Sequence, residues 1–384
     1  MLNQKSIREY MYSLMTDRRN DFIASIFKYP LLFVSLLYLA VLKITFLLRQ
    51  NGILPTTYLN AKVISVGNIT FGGTGKTPLV EFVSRILLDS NKKVAILTRG
   101  YKIASKDISR SGNKNRPLFE EIGDEPALLR MKLPQIDVLV GPDRVNNGRT
   151  AVSKSGADVL ILDDGFQYWP LSRDIDILAI DAKNPFGNGM LLPRGILREP
   201  IENMNRASIF VITKIDVATQ EQINDIKSKI KSINPAAFIF TAVHKPESMV
   251  EFANSQKLDA LAGAENNLDL GFIKGKEILT VSGIGDNEYF LNTLKSLGAV
   301  IKESIFYQDH HPYSFGDLEY IANTCRQTGV RTIIVTEKDM IKIKPLIHRH
   351  LLAFESFQLQ FLAVGVKLEI TENLGKFKEL ILVK

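Results

Sequence analysis

Residues 62–88, KVISVGNITFGGTGKTPLVEFVSRILL, decide the fold. The run opens with an apolar strand pattern, passes through a Gly-rich turn and closes in a helical pattern from Leu79 to Leu88. Strand, Gly-rich turn and helix are the context in which a phosphate-binding loop works. Gly72, Gly73 and Gly75 let backbone N–H groups converge on phosphate oxygens without a Cβ in the way. Lys76 is placed to reach the β- and γ-phosphates, and the Thr77 hydroxyl to ligate Mg²⁺. Pro78 suits a first helical turn, where a missing N–H costs nothing. The loop departs from the usual pattern at Thr70, where Gly is standard. Its Gly72-Gly73 pair resembles the loop of partitioning-type ATPases, but Phe71 replaces their signature lysine. Thr70, Phe71, Gly72, Gly73, Thr74, Gly75, Lys76 and Thr77 are thus the candidate nucleotide-binding residues.

Outward from this loop, short β-branched runs alternate with helical stretches, the signature of a parallel α/β sheet. Strands are expected at Val63–Val66, Lys93–Thr98, Ile136–Val140, Val159–Leu162, Ile175–Ile180 and Ile209–Thr213. A later set is expected at Ala237–Thr241, Glu277–Val281, Val300–Tyr307, Thr332–Thr336 and Leu359–Val364. About eleven strands exceed one compact open sheet. The expectation is therefore α/β: a P-loop NTPase-type parallel sheet with helices on both faces, a second α/β domain and an N-terminal membrane-associated helix. The boundaries are set at 1–50 for the helical segment, 51–205 for the P-loop domain and 206–384 for the second domain, with 254–267 read as a polar surface insertion.

Several polar clusters follow strands. Val159-Leu-Ile-Leu-Asp163-Asp164 is an apolar strand ending in acid, where a carboxylate sits beside the phosphates and can hold Mg²⁺ directly or through water. The turn after it offers Gln167 to the same cleft. In Gly123-Asp124-Glu125-Pro126 the two acids open a helix. They serve either as cap and first-turn acids, worth about 1 kcal/mol, or as base and metal partner. Asp309-His310-His311 is either a solvated loop or an acid/base unit. Arg144, Arg194 and Arg198 offer forked donors suited to phosphate, with Glu199 a polar substrate ligand.

The net charge of +7 and isoelectric point near 9.2 suit an anionic partner without choosing one. A single cysteine, Cys325, excludes an intramolecular disulfide and a cysteine metal cage. Residues 7–27 read as an amphipathic helix ending before Pro30, and Leu31–Leu48 as an apolar run whose one charge is Lys43. Most of that run favours insertion by about 0.3–0.6 kcal/mol per residue, against about 2.5–3.5 kcal/mol for a central Lys. The basic residues before it would keep the N-terminus cytoplasmic and push a spanning chain's phosphate loop outside, away from ATP. A helix lying in the cytoplasmic face of the membrane reconciles the two signals.

Together, VGNITFGGTGKTP, TRGY (98–101), GDEP (123–126), GPDR (141–144), LDDGFQ (162–167), LLPRGILREP (191–200), DHHPY (309–313) and TEKD (336–339) resemble the tetraacyldisaccharide 4′-kinase family of lipid A biosynthesis. The resemblance spans nearly the whole chain. It implies transfer of the ATP γ-phosphate to the 4′-hydroxyl of an acylated glucosamine disaccharide 1-phosphate, giving the lipid IVA type of precursor. It also implies Mg²⁺, an active site in a cleft between two α/β domains, and attachment to the cytoplasmic face of the inner membrane. By motif position Asp124 corresponds to the catalytic base, His310 to its supporting His and Lys76 to the phosphate-loop lysine. Thr77, Asp163, Asp164 and Glu125 fall on metal and phosphate positions, and Arg144 on a basic position near the substrate. A monomer with no nucleic-acid partner is expected. The competing reading is a GTP- or ATP-hydrolysing switch or targeting NTPase, because Thr213-Lys-Ile-Asp216 mimics a guanine-reading T-K-x-D string. No switch-like Asp-x-x-Gly follows the acidic strand in usual form.

Overall fold

The structure, a computed structural model, describes residues 4–19, 21–100, 117–254, 266–350 and 358–383. Tyr101 of the TRGY string and most of the 254–267 segment lie outside them. In chain order the elements begin with α1 (Gln4–Met15), α2 (Phe22–Gln50), β1 (Lys62–Gly67), α3 (Lys76–Asp89) and β2 (Val94–Thr98). Next come α4 (Leu118–Ile122), α5 (Asp124–Lys132), β3 (Asp137–Val140), α6 (Arg144–Thr150), β4 (Val159–Asp163), β5 (Ile175–Asp181), β6 (Ile209–Thr213) and α7 (Gln220–Ile233). They continue with β7 (Phe238–Asn254), β8 (Asn266–Leu268), β9 (Glu277–Ser282), α8 (Asn287–Ser296), β10 (Val300–Phe306) and α9 (Phe315–Thr328). The last are β11 (Thr332–Thr336), α10 (Glu337–Arg349), β12 (Gln360–Ile370) and a C-terminal helix, Leu374–Leu382.

The chain forms two compact units. The first holds residues 1–99, 135–243 and 369–384, and the second holds 100–134 and 244–368. This interleaving differs from the expected linear split at 205/206. A strand's affiliation is set by its hydrogen-bonded neighbours, and β7 begins beside β6 in the first unit before its later residues pair with β8 in the second. Residues 206–243 therefore belong with the phosphate loop, and the GDEP turn belongs with the histidines.

In the first unit the strands run in the order β7-β6-β5-β1-β4-β2-β3, with β1 central and parallel to β4 and β5. A parallel strand covered on both faces reads as a continuous apolar run, and Val63, Ile64 and Val66 of β1 are at most 2% exposed. Helix α3 covers the sheet with Leu79, Val80, Val83, Ile86 and Leu87, all buried at helical spacing. In the second unit the order is β10-β9-β11-β12-β7, with β9, β10, β11 and β12 parallel and β8 antiparallel to β7. Its core gathers Leu279, Val281, Leu318, Ile321, Ile333, Val335 and Phe361. All eleven strands expected from the pattern form, with β7 and β12 running several residues further than their apolar cores suggest.

The N-terminal segment departs from expectation. Helix α1 ends at Met15 and α2 begins at Phe22; Asp17 takes φ 53°, and Asp21 caps α2 by accepting from the Ala24 N–H at 2.8 Å. Pro30 sits inside α2. A proline in a helix interior costs about 3 kcal/mol. Here Asp21 supplies the cap, and the apolar sequence on both sides of Pro30 carries the helix through. At 29 residues α2 is about 44 Å long. It is the one helix among the described residues long and apolar enough to cross a membrane, and 6% of its most apolar window is buried. Ser35, Tyr38, Leu39 and Leu42 form the stripe that meets the first unit. Phe33, Val34, Leu36, Leu37, Val41, Ile44 and Leu47 stay exposed.

Candidate active site

The phosphate loop links β1 to α3 and is braced from beneath. Gly67 ends β1 so close to Phe166 that a Cβ there would lie 2.7 Å from the Phe166 Cβ. Asn68, fully buried, donates to the Thr70 carbonyl at 2.7 Å and to the Thr74 hydroxyl at 3.0 Å. The Thr213 hydroxyl donates to the Thr74 carbonyl, and Lys214 to the Gly73 carbonyl, both at 3.0 Å. Lys214 is in turn neutralised by Asp181 at 2.7 Å. The T-K-x-D string thus has a place here as the floor of the loop. Gly72 takes φ 128° and Gly75 φ 80°, conformations that favour glycine. Gly72 and Gly73 are exposed, and a Cβ on either would meet nothing within 4 Å among the described residues. Helix α3 begins without a side-chain cap, leaving its first N–H groups for an anion. Thr70 and Thr74 are buried, whereas Phe71 is 62% exposed.

Four further predicted residues gather beside this loop. Asp163, at the end of β4, is 3% exposed and accepts from the Thr98 hydroxyl at 3.1 Å. Asp164, at φ 50°, holds Arg198 at 2.6 Å and Lys76 at 3.8 Å. Burial pushes the Asp164 carboxyl up, but Lys76, Arg198 and Arg144 together hold it below its ordinary value. Arg144 is nearly buried over the Tyr168 ring and donates to the Asp164 carbonyl at 3.0 Å. Desolvation lowers its guanidinium pKa, and Asp163 and Asp164 oppose that shift. Gln167 donates to the Asn68 carbonyl at 2.9 Å. The buried Gln167 Oε1 and Arg144 Nε have no hydrogen-bond partner among the described residues. Buried polar atoms of this kind are ordinarily satisfied, so a polar ligand or water suits them. Glu199 differs: it is 0% exposed and bound by Arg206 at 2.8 Å and Asn203 at 2.7 Å. Its surroundings give it an internal ion pair rather than a substrate contact. Arg194 likewise faces the N-terminal helices, donating to the Leu14 carbonyl and to Asp17 at 2.7 Å.

The second unit assembles the other candidates. Asp124 opens α5 and is 7% exposed. The Nδ1 of His310 lies 2.9 Å from each of its carboxylate oxygens. Helix α10 adds two ammonium groups that carry no role in the motif reading. Lys342, 5% exposed, approaches Asp124 at 3.5 Å, and Lys338 stands 3.9 Å from it. Lys338 also donates to Asp309 at 3.0 Å and to Glu125 at 3.3 Å, and its Nζ lies 3.5 Å from the His310 Nε2. An ammonium only donates, so in the neutral ring Nε2 accepts and the proton sits on Nδ1, facing Asp124. Burial acts against the Asp124 carboxylate, yet the His310 hydrogen bond and both lysines leave its pKa strongly lowered. The Asp124 hydrogen bond raises that of His310 against burial and Lys338. His310 itself takes φ 61°, a left-handed conformation uncommon for a non-glycine residue. His311 turns away, stacking on Tyr307 and pairing with Asp317 at 3.1 Å. Asp339, fully buried, accepts from Gly283 N–H, Tyr313 and Thr336 and so anchors the start of α10. The pair Lys338 and Lys342 was visible as an i,i+4 repeat on one helix face. Among the described residues no cluster of three or more His, Cys, Asp or Glu forms a ready-made metal cage.

The model of the tetraacyldisaccharide-1-P 4′-kinase family, LpxK, matches residues 27–383. The chain belongs to that family. A tetraacyldisaccharide 4′-kinase of Syntrophus aciditrophicus is 41% identical over 300 residues, covering 75% of this chain and 77% of its own. One of Desulfatibacillum aliphaticivorans is 33% identical over 349 residues, covering 90% and 89%. Among solved structures, LpxK from Aquifex aeolicus in complex with ATP aligns with a TM-score of 0.68 at 31% identity, covering 92% of this chain and 98% of that one. Family membership sets the switch or targeting NTPase reading aside.

Proposed function

We propose that the chain transfers the γ-phosphate of ATP to the 4′-hydroxyl of a tetraacylated glucosamine disaccharide 1-phosphate, yielding the 4′-phosphorylated lipid A precursor. The observation that carries the chemistry is the Asp124–His310 dyad. In this reading Asp124 accepts the hydroxyl proton, and the Nδ1–H of His310 keeps its carboxylate oriented. The His310 hydrogen bond and the nearby lysines make Asp124 a weak base. That suffices where the phosphoryl group moves through a loose transition state, with little covalent chemistry for the protein to perform. Lys76 and the N–H groups of the phosphate loop neutralise charge on the transferring group. Arg144 and Gln167 contribute donors and an acceptor beside it. Arg198 keeps Asp164 in place, so that Lys76 remains available to phosphate.

Oxygen donors at the loop fit Mg²⁺, a hard cation. The Thr77 hydroxyl and the Asp163 carboxylate would hold it, with Asp164, whose present partner is Arg198, as a further carboxylate; Glu125, on the second unit, is paired with Lys338. Bound there, the ion would offset the negative charge of the phosphate groups.

The substrate's four acyl chains keep it in a bilayer, and α2 supplies a matching apolar surface. With the basic residues around it, this supports a helix lying in the cytoplasmic face of the inner membrane. Incubation of the purified protein with labelled ATP and the disaccharide lipid tests the assignment. A new phosphorylated lipid is expected; its absence from protein that still binds ATP overturns the reading.

A further inference from the structure

Helix α2 does more than present an apolar face. Ser35 is 4% exposed, with its Oγ 2.9 Å from the Leu191 carbonyl and accepting the Arg194 N–H at 3.0 Å. One turn on, Tyr38 donates its hydroxyl proton to the Arg198 carbonyl at 2.8 Å. Both therefore hold the 191–198 loop by its backbone, at either end. That loop is itself paired with the phosphate loop. The Phe71 N–H donates to the Ile196 carbonyl and the Arg198 N–H to the Ile69 carbonyl, each at 2.7 Å, and Thr70 bridges Leu197 in antiparallel sense. The Arg198 side chain closes the circuit by reaching Asp164 at 2.6 Å and the Asn68 carboxamide oxygen at 3.2 Å. Asn68 in turn fixes Thr70 and Thr74.

We infer that Ser35 and Tyr38 are positioning residues of the nucleotide site, acting through the 191–198 loop on Arg198 and the phosphate loop. The inference rests on the reading of Arg198 as part of that site. A helix docked only by apolar contact has no use for two side-chain hydroxyls aimed at backbone of the loop beside the phosphate loop. Leu39 and Leu42 of the same stripe supply the apolar docking. The hydroxyls add direction, because a hydrogen bond fixes the distance and angle of its partner where packing alone tolerates slippage.

Tyr38→Phe removes one oxygen atom and leaves the ring in its apolar seat. In steady-state assays of the full chain in mixed micelles, with ATP and the disaccharide lipid varied separately, Tyr38→Phe is expected to raise KM for ATP about three- to tenfold, the usual yield of one lost hydrogen bond. The kcat and the lipid KM should stay within about twofold, since neither the dyad nor the acceptor is touched. Ser35→Ala should behave likewise and Ser35→Thr, which keeps the hydroxyl, should recover. Arg198→Ala should raise KM for ATP on its own, and adding Tyr38→Phe to it should raise it no further. An unchanged ATP KM in Tyr38→Phe beside an impaired Arg198→Ala overturns the inference and leaves the Arg198 reading intact. An unchanged ATP KM in Arg198→Ala removes Arg198 from the site and the inference with it. A fall in kcat with both KM values unchanged also overturns it, by making Tyr38 merely structural.

Discussion

The Nδ1 of His310 lies equidistant, at 2.9 Å, from the two carboxylate oxygens of Asp124. A symmetric contact of this kind fixes the plane of the carboxylate without consuming one oxygen. Removing either partner should therefore act on turnover. Asp124→Asn is expected to lower kcat about 10²–10⁴-fold, the range of general acid–base catalysis, and His310→Ala by a smaller factor. In both, ATP affinity by equilibrium binding should stay within about twofold. Near-normal turnover in either variant takes that residue out of the mechanism.

The same pair makes stability depend on pH. His310 is raised in the folded state, so its contribution is full below the unfolded pKa near 6.5 and fades as pH rises through the folded value. Asp124 is lowered, so its contribution is full above its unfolded pKa near 4 and fades as pH falls through the folded value. The pair thus stabilises most between about pH 4 and 6.5. The urea midpoint of the wild type should exceed that of His310→Gln by more at pH 5.5 than at pH 9. An equal gap at both would show that the pair is not coupled to folding.

Lys214 and Asp181 form a buried pair under the phosphate loop, at 5% and 13% side-chain exposure. Breaking such a pair by removing one partner typically costs about 3–5 kcal/mol, because the other charge is left uncompensated. Lys214→Met is expected to destabilise in that range and to weaken ATP binding, since the Gly73 carbonyl loses its donor. Lys214→Met with Asp181→Asn should recover much of the stability but not the affinity. Thermal and chemical unfolding, set beside ATP titration, separate the two effects.

Asp17, in the turn after α1, pairs with Lys28 of α2 at 2.6 Å and with Arg194 at 2.7 Å. Burial acts to raise its carboxyl, but hydrogen bonds from Lys28, Arg194 and Asn188 bring it down to about 2. Its contribution is present above about pH 4 and is lost as pH falls through the folded value. Carbonate-washed membranes should retain the intact protein and release a version lacking residues 1–50. Release of both would leave α2 without a membrane role.

Much of the fold was legible because parallel strands buried on both faces are written as unbroken apolar runs, as in Ile175–Ile180 and Thr332–Thr336. The phosphate loop was legible for a different reason: Gly72, Gly75 and Lys76 serve one chemistry at one spacing. What the sequence concealed was long-range. Nothing local says that Asp124 and His310, 186 positions apart, form a pair. Nor does it say that Lys338 faces both, or that Glu199 spends its charge on Arg206. Pro30 misled because a strong local rule met a stronger cap nine residues earlier, at Asp21.

The interleaved chain has a consequence for biosynthesis. The helix Leu374–Leu382 packs Phe377, fully buried, against Phe82 and Phe240, and Lys62 of the central strand donates to the Ile381 carbonyl at 2.7 Å. The packing of this unit is complete only once residues past 369 have left the ribosome, some 270 positions after β2. At roughly 5–20 residues per second that is a wait on the order of 15–50 s. Helix α2 emerges at the start of this interval, with its apolar face uncovered. The nascent chain therefore carries that apolar face throughout the interval before its C-terminal helix can pack.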